Sequence, residues 1–263
     1  MSHDHHKPFL SVVIPAYNEE ARLPDTLGAT ISFLSKQDFT FEIVVVDDGS
    51  IDNTAQVVRD LSESDERVRL VEYGTNRGKG YAVRTGMMRA RGEIRVFMDA
   101  DNSTTIDHVA SFLPLFNDGW EVVIGSRRAK GSKILVHQSR WKEALGSLGN
   151  AWIRFWAVPG IRDTQAGFKA FSAKAANDVF PRLTLDRWGF DIEALAVARS
   201  LGYRISEEPI TWVNDARTHV TAKAYFQVLF EVLQVRWNLW RGKYGLGGSG
   251  NPENATTTRL VRQ

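Results

Sequence analysis

Five short runs rich in β-branched residues are separated by segments long enough for a helix: LSVVIP (from Leu10), EIVVVD (from Glu42), RVRLVEY (from Arg67), EIRVFMD (from Glu93) and EVVIGS (from Glu121). Nothing else in the chain constrains the fold as strongly. Most of these runs are apolar at successive positions, which predicts strands covered on both faces, and the βαβα order predicts a mostly parallel sheet flanked by helices. In such a sheet ligands bind beyond the carboxyl ends of the strands. The chemically active residues should therefore follow each run.

The second half is less regular. DTQAGFK (from Asp163) reads as a turn, helical patterns follow near Ala173 and Asp191, RISEEPITWV (from Arg204) reads as a strand, and a long helix pattern runs from Thr221 to about Arg241. With 263 residues, one large α/β domain is the expected organisation. It spans residues 9–241, after a flexible N-terminus over 1–8 and before a Gly/Asn/Thr-rich tail over 242–263 that reads as disordered.

Composition removes several classes of chemistry. The chain has no cysteine, so disulfides, zinc–thiolate sites, iron–sulfur clusters and thiol nucleophiles are excluded. Its 33 basic and 31 acidic residues are too balanced for a nucleic-acid binder that works by neutralising phosphates. Charge is nevertheless uneven: between Glu121 and Arg154, seven basic residues face only Glu121 and Glu143, a patch suited to an anionic ligand. No apolar run reaches the length of a spanning helix, and the MSHDHHKP start has no signal-peptide core. The expectation is a cytoplasmic protein, soluble or lying on a membrane surface. His3, His5 and His6 read as a mobile polar terminus.

Asp99-Ala100-Asp101 follows the fourth strand, where residues two apart project to the same side, so both carboxylates can meet one cation. Hard oxygen ligands suit Mg2+ or Mn2+, and such an ion keeps positions open for substrate phosphates. Alternatively, one aspartate caps the helix expected near Asn102-Ser103-Thr104. After the second strand, the adjacent Asp47 and Asp48 point to opposite faces, so one can reach the crevice while the other orders the turn. Asp52 reads as a helix N-terminal acid. GTNRGKG (from Gly74) lacks both the spacing and the Ser/Thr of a Walker loop, and PAYNEEARL (from Pro15) lacks the glycines of a dinucleotide fingerprint. The former remains a glycine turn with one lysine, open to a nucleotide contact or to a plain structural role.

Taken in order, SVVIPAYNEE, VVVDDGSIDNT, NRGKGYAVRTGM, DADNST, IGSRR and DTQAGFK resemble the inverting glycosyltransferases of family 2 with the Rossmann-like GT-A fold, within which the pattern is most similar to the dolichyl-phosphate glucosyltransferase and mannose synthase group. The resemblance covers roughly Leu10 to Trp240. It implies nucleotide contacts at Pro15, Ala16, Tyr17, Glu19, Asp48, Asn76, Gly78, Lys79 and Ala100, metal ligation by Asp99 and Asp101, and a lipid-phosphate site at Arg127 and Arg140, with Arg128 beside them. Asp191 in GFDIEAL matches the place where relatives acting on hydroxyls hold a base; it reads equally as a helix N-terminal acid. Gln165 is a sugar or acceptor contact, while Asp163, Gly167 and Phe168 read as shaping their loop. Where relatives show Ser-Lys, this chain has NDARTHV, which transfers a diphosphate contact to Arg217 or His219.

The implied reaction is inverting transfer of a hexose, with UDP-glucose the expected donor, to dolichyl or another polyprenyl phosphate. A phosphate monoester is largely ionised at pH 7 and needs no general base, unlike a sugar hydroxyl. Mannosyl transfer from GDP-mannose, hexose transfer to a glycan hydroxyl, and a sugar nucleotidyltransferase activity are the alternatives.

Two aromatic stripes bear on where such an acceptor would be met. Trp141, Leu145, Leu148, Trp152 and Phe155 form one within a helix near 138–157; Phe226, Phe230, Leu233, Trp237 and Trp240 form another within 221–241. Opposite the second run Lys223, Gln227, Glu231, Gln234, Asn238 and Arg241. Either stripe could be core. With a polyprenyl acceptor they read instead as interfacial helices on the cytoplasmic face of a membrane, open to a membrane-embedded partner protein.

Overall fold

The computed structural model describes residues 7–135, 149, 151–213, 222–245 and 258–259. Its sheet has the order β10 (Thr258–Arg259), β8 (Ile205–Pro209), β5 (Val122–Ser126), β7 (Phe168–Ser172), β4 (Ile94–Met98), β1 (Leu10–Ala16), β2 (Phe41–Asp47), β3 (Val68–Glu72). The five expected strands form as β1 (Leu10–Ala16), β2 (Phe41–Asp47), β3 (Val68–Glu72), β4 (Ile94–Met98) and β5 (Val122–Ser126). β1 pairs in parallel with both β2 and β4. The helices between them are α1 (Leu23–Leu34), α2 (Thr54–Ser64), α3 (Lys79–Arg89) and α4 (Val109–Asn117).

Apolar residues at successive strand positions fill two separate cores. Val13, Val44, Val46 and Phe97 face one side, packing with α3 and the later helices; Val12, Ile14, Ile43, Val45 and Val96 face the other, packing with α1, α2 and α4. This is the three-layer arrangement expected for strands covered on both faces.

The DTQAGFK segment turns at Thr164 and Gln165, as read from the sequence, and its last two residues begin a strand. β7 (Phe168–Ser172) runs antiparallel between β4 and β5. Next come α6 (Ala173–Val179), α7 (Phe190–Ser200), β8 (Ile205–Pro209), β9 (Thr211–Trp212) and α8 (Ala222–Trp240), with residues 151–156 forming the helical stretch α5. β9 pairs with β6 (Lys133–Ile134) in a small separate sheet.

Beyond α8 the described residues run to Gly245 and include Thr258–Arg259. Tyr244 is buried beyond α8 and donates a hydrogen bond to Glu193 (2.9 Å), so the packed domain continues past Arg241. Thr258–Arg259 forms β10, paired in parallel with β8.

α8 turns a valine face inward together with two residues of its polar stripe, while Gln234 and Arg241 of that stripe are exposed. Glu231 and Asn238 are buried with Val228, Val232 and Val235, while Phe230, Leu233, Trp237 and Trp240 are exposed. Among the described residues, no helix is long and apolar enough to cross a membrane.

Candidate active site

The carboxyl ends of β4, β5 and β2 meet the N-termini of α3 and α7, and each end carries one of the expected motifs. At the end of β2, Asp47 orders the turn by accepting hydrogen bonds from the Ser50 amide and hydroxyl. Asp48 is buried and binds the glycine loop: Oδ1 accepts from the Tyr73 hydroxyl (2.8 Å) and the Arg77 amide (2.8 Å), and Oδ2 from the Gly78 amide (2.8 Å). Burial and this negative neighbour push the Tyr73 phenol well above its ordinary range. Gly78 has φ +107, and a Cβ there would lie 2.5 Å from the Asp186 carbonyl oxygen, which explains a glycine where the loop starts α3.

That loop delivers Lys79 to the end of β4. Lys79 Nζ lies 2.5 Å from Asp99 Oδ1, an ion pair that is the contact this buried carboxylate oxygen makes among the described residues. Burial pulls the Lys79 ammonium down, yet Asp99, Asp191 and Asp101 together hold it above its usual value. Asp101 is partly exposed and accepts from the Ser103 amide (2.9 Å), across a turn made by Asn102 at φ +54. Gly167 backs the pair, since a Cβ there would sit 2.0 Å from Asp99 Oδ2.

On the other side, Arg127 follows β5 and its guanidinium fork is closed on Asp163: Nε to Oδ2 and Nη2 to Oδ1 are both 2.8 Å. Burial alone would raise the Asp163 pKa, but Arg127, through charge and hydrogen bonds, brings it down to about 2. Glu207 on β8 holds this corner by accepting from the Arg162 (2.9 Å) and Asp163 (3.0 Å) amides. Trp212 lies against Arg127, ring centroid 5.3 Å from the guanidinium carbon.

Asp191, in the first turn of α7, is buried and paired with Lys169 Nζ at 2.5 Å; the ammonium also donates to the Ala166 carbonyl (2.6 Å). Burial raises the Asp191 pKa and lowers that of Lys169. Glu193, two residues on, is committed to structure, accepting from the Thr184 and Leu185 amides, both at 2.9 Å.

Four aspartates (99, 101, 163 and 191) thus share this region with three cations (Lys79, Arg127 and Lys169), a balance that favours one further positive charge. Asp99 and Asp101 offer hard oxygens, of which Asp99 Oδ1 is held by its ion pair with Lys79 alone, and among the described residues no group of three or more metal-ligating side chains assembles. A divalent cation that keeps water and phosphate ligands fits such a pair.

Residues 11–180 match the model of Glycosyl transferase family 2. The chain belongs to that family. Among its relatives, the dolichyl-phosphate beta-glucosyltransferase of Homo sapiens is 37% identical over 251 residues, covering 90% of this chain and 78% of the relative. That of Drosophila melanogaster is 38% identical over 218 residues, covering 78% and 67%. The fold is similar to glucosyl-3-phosphoglycerate synthase from Mycobacterium tuberculosis in complex with Mn2+, UDP-glucose and phosphoglyceric acid, with a TM-score of 0.61, 20% identity, and coverage of 92% and 82%. A mannosyltransferase from Pyrobaculum calidifontis in complex with GDP-mannose and Mn2+ gives a TM-score of 0.54 at 21% identity.

As a family 2 glycosyltransferase of GT-A fold, the chain sets aside the nucleotidyltransferase reading. Of the residues singled out in the sequence, Asp99, Asp101, Lys79, Arg127 and Asp191 are brought together. Pro15, Ala16, Tyr17 and Glu19 line the exit of β1, where Glu19 is paired with Arg22 and Tyr17 is exposed. Asn76, Gln165 and Arg128 are exposed, and Ala100 is buried between the two aspartates. Arg140, Arg217 and His219, with Trp141, Leu145 and Leu148, lie outside the described residues. Sequence reasoning missed Lys169 and Glu207. A lysine inside the apolar run GFKAFS is the signal that could have found the first.

Proposed function

We propose that this family 2 enzyme transfers glucose from UDP-glucose, with inversion, to dolichyl or another polyprenyl phosphate at a membrane surface. The observation that carries the reading is the state of Asp191: its carboxylate is paired at 2.5 Å with a buried lysine, whereas the other end of the site offers an arginine-rich corner. That arrangement suits an acceptor that arrives ionised and has to be positioned rather than deprotonated. The names of the relatives support the same acceptor.

Asp99 and Asp101 would hold the divalent cation. When bound, such a cation neutralises the diphosphate charge that develops as the glycosidic bond breaks. Lys79, aimed at the same point from the start of α3, binds the diphosphate, and Arg217 and His219 are assigned to it as well. Arg127, Arg128 and Arg140 orient the acceptor phosphate; the fixed plane of the Arg127 guanidinium, set by Asp163, is the best defined of the three.

α8 and α5 supply the membrane contact. Trp156, Leu233, Arg236, Trp237 and Trp240 line an apolar groove of about 360 Å3 on the outer surface, and Phe155 and Phe230 of the same two helices are exposed. Aromatic rings with arginines at their edge suit a helix lying in the headgroup plane, here on the cytoplasmic face.

The test is an assay of the purified protein with polyprenyl phosphate in vesicles, Mn2+ or Mg2+, and labelled UDP-glucose or GDP-mannose. Glucosylated lipid phosphate is the expected product. Mannose transfer would revise the donor, and transfer only to glycan hydroxyls, or no lipid product from either donor, would overturn the proposal.

A further inference from the structure

The three functional groups at the sheet ends have one neighbour in common. Asp163 closes the Arg127 fork, Gly167 lies directly behind Asp99, and Lys169 pairs with Asp191, all within seven residues of one another. The segment is fixed at both ends: Glu207 binds its first amides, and β7 is hydrogen-bonded to β4 and β5, with Lys169 opposite Phe97 on one side and Ile124 on the other. Asp163, Thr164, Ala166, Phe168 and Lys169 are buried.

We infer that residues 163–169 are an alignment strap, in which Asp163, Gly167 and Lys169 are positioning residues that set the acceptor arginine, the metal-binding carboxylate and Asp191 against one another. The inference rests on the proposed roles of Asp99 and Arg127. Gly167 does this by being small: its Cα approaches so closely that any side chain would displace the Asp99 carboxylate. Asp99 can yield to it, because its side chain is partly exposed, so the displacement leaves the fold standing. Asp163 acts through two parallel hydrogen bonds that fix the plane of a guanidinium, and Lys169 by holding one oxygen of Asp191.

The three contacts have separate readouts. Mn2+ affinity is measured by electron paramagnetic resonance with UDP present and no turnover, and acceptor KM by the vesicle assay. Gly167→Ala is expected to weaken Mn2+ binding by about tenfold or more, with acceptor KM and melting temperature nearly unchanged. Asp163→Asn should raise acceptor KM and spare Mn2+ affinity. Lys169→Met should lower kcat and leave both binding constants in place; since it also strips a buried charge of its partner, the other two variants decide the matter.

Asp99→Asn is the reference. Should it leave Mn2+ affinity intact, the metal reading itself falls and takes this arm of the strap with it. Should Asp99→Asn weaken Mn2+ while Gly167→Ala does not, only the strap is wrong. Parallel changes in all parameters, tracking loss of melting temperature, would likewise overturn it in favour of plain structural damage.

Discussion

At the carboxyl ends of the sheet Lys169 is 0% exposed and Asp191 5%, whereas on α8 Phe230 is 72% and Trp240 75% exposed. Each region inverts the usual partition of charge and hydrocarbon, but they differ in what completes them. The buried charges are answered within the chain: Lys169 by Asp191 and the Ala166 carbonyl, Asp163 by Arg127. Among the described residues nothing covers the outward side of α8, although its inward side is packed on α7. A closed charge network is a device of the protein itself. An aromatic face that the described residues leave exposed is the place the proposed membrane contact would occupy.

The largest expected effect is at Lys169. If the pair is closed as described, Lys169→Met leaves a buried carboxylate without its partner and should cost about 3–5 kcal/mol in urea unfolding. Replacing both members by apolar residues of similar size, Lys169→Met with Asp191→Leu, should recover most of that loss while activity stays low. A single-variant loss below about 1 kcal/mol would mean that the pair behaves like an exposed one.

Asp163 gives a smaller effect with a defined pH dependence. Its folded-state pKa of about 2 lies below its ordinary value of 3.8, so the carboxylate contributes stability that is complete above pH 4 and is lost as pH falls from about 4 to 2. The difference amounts to about 2 kcal/mol. The stability gap between wild type and Asp163→Asn should therefore be constant from pH 5 to 7 and close in acid; a gap independent of pH would assign the contribution to packing instead.

How much of this was legible depended on whether a residue's role is local. The strands β1 to β5 follow from runs of β-branched residues, and Asp99 and Asp101 from their position after one of them. The alternation of side chains showed that one of Asp47 and Asp48 orders the turn, but not which; the hydrogen bonds from Ser50 assign that role to Asp47. The roles of Asp163, Gly167 and Lys169 were not legible, because each depends on an element distant in sequence. The insertion of β7 between β4 and β5 brings Lys169 to α7 and Gly167 to Asp99, and no periodicity in FKAFS announces an antiparallel partner. On α8 both stripes were visible, but which one faced the core was not. Valines beside Glu231 and Asn238 supply the inward apolar surface, leaving the tryptophans free.

That freedom gives the prediction with the smallest effect on folding and the clearest bearing on the comparison. Trp237→Glu with Trp240→Glu alters residues that touch each other, ring centroids 5.1 Å apart, and line the outer groove without entering the core. Unfolding free energy should change by no more than about 0.5 kcal/mol, as for ordinary surface sites. Co-sedimentation with vesicles containing anionic lipid should fall sharply, because apolar insertion is replaced by two like charges facing the membrane, and with it turnover of polyprenyl phosphate in vesicles. Turnover of a short, water-soluble prenyl phosphate should be spared, since the carboxylates and arginines at the sheet ends are untouched. A large loss of stability would instead show that the tryptophans are covered by the chain itself, and the two regions would then be alike: both completed from within.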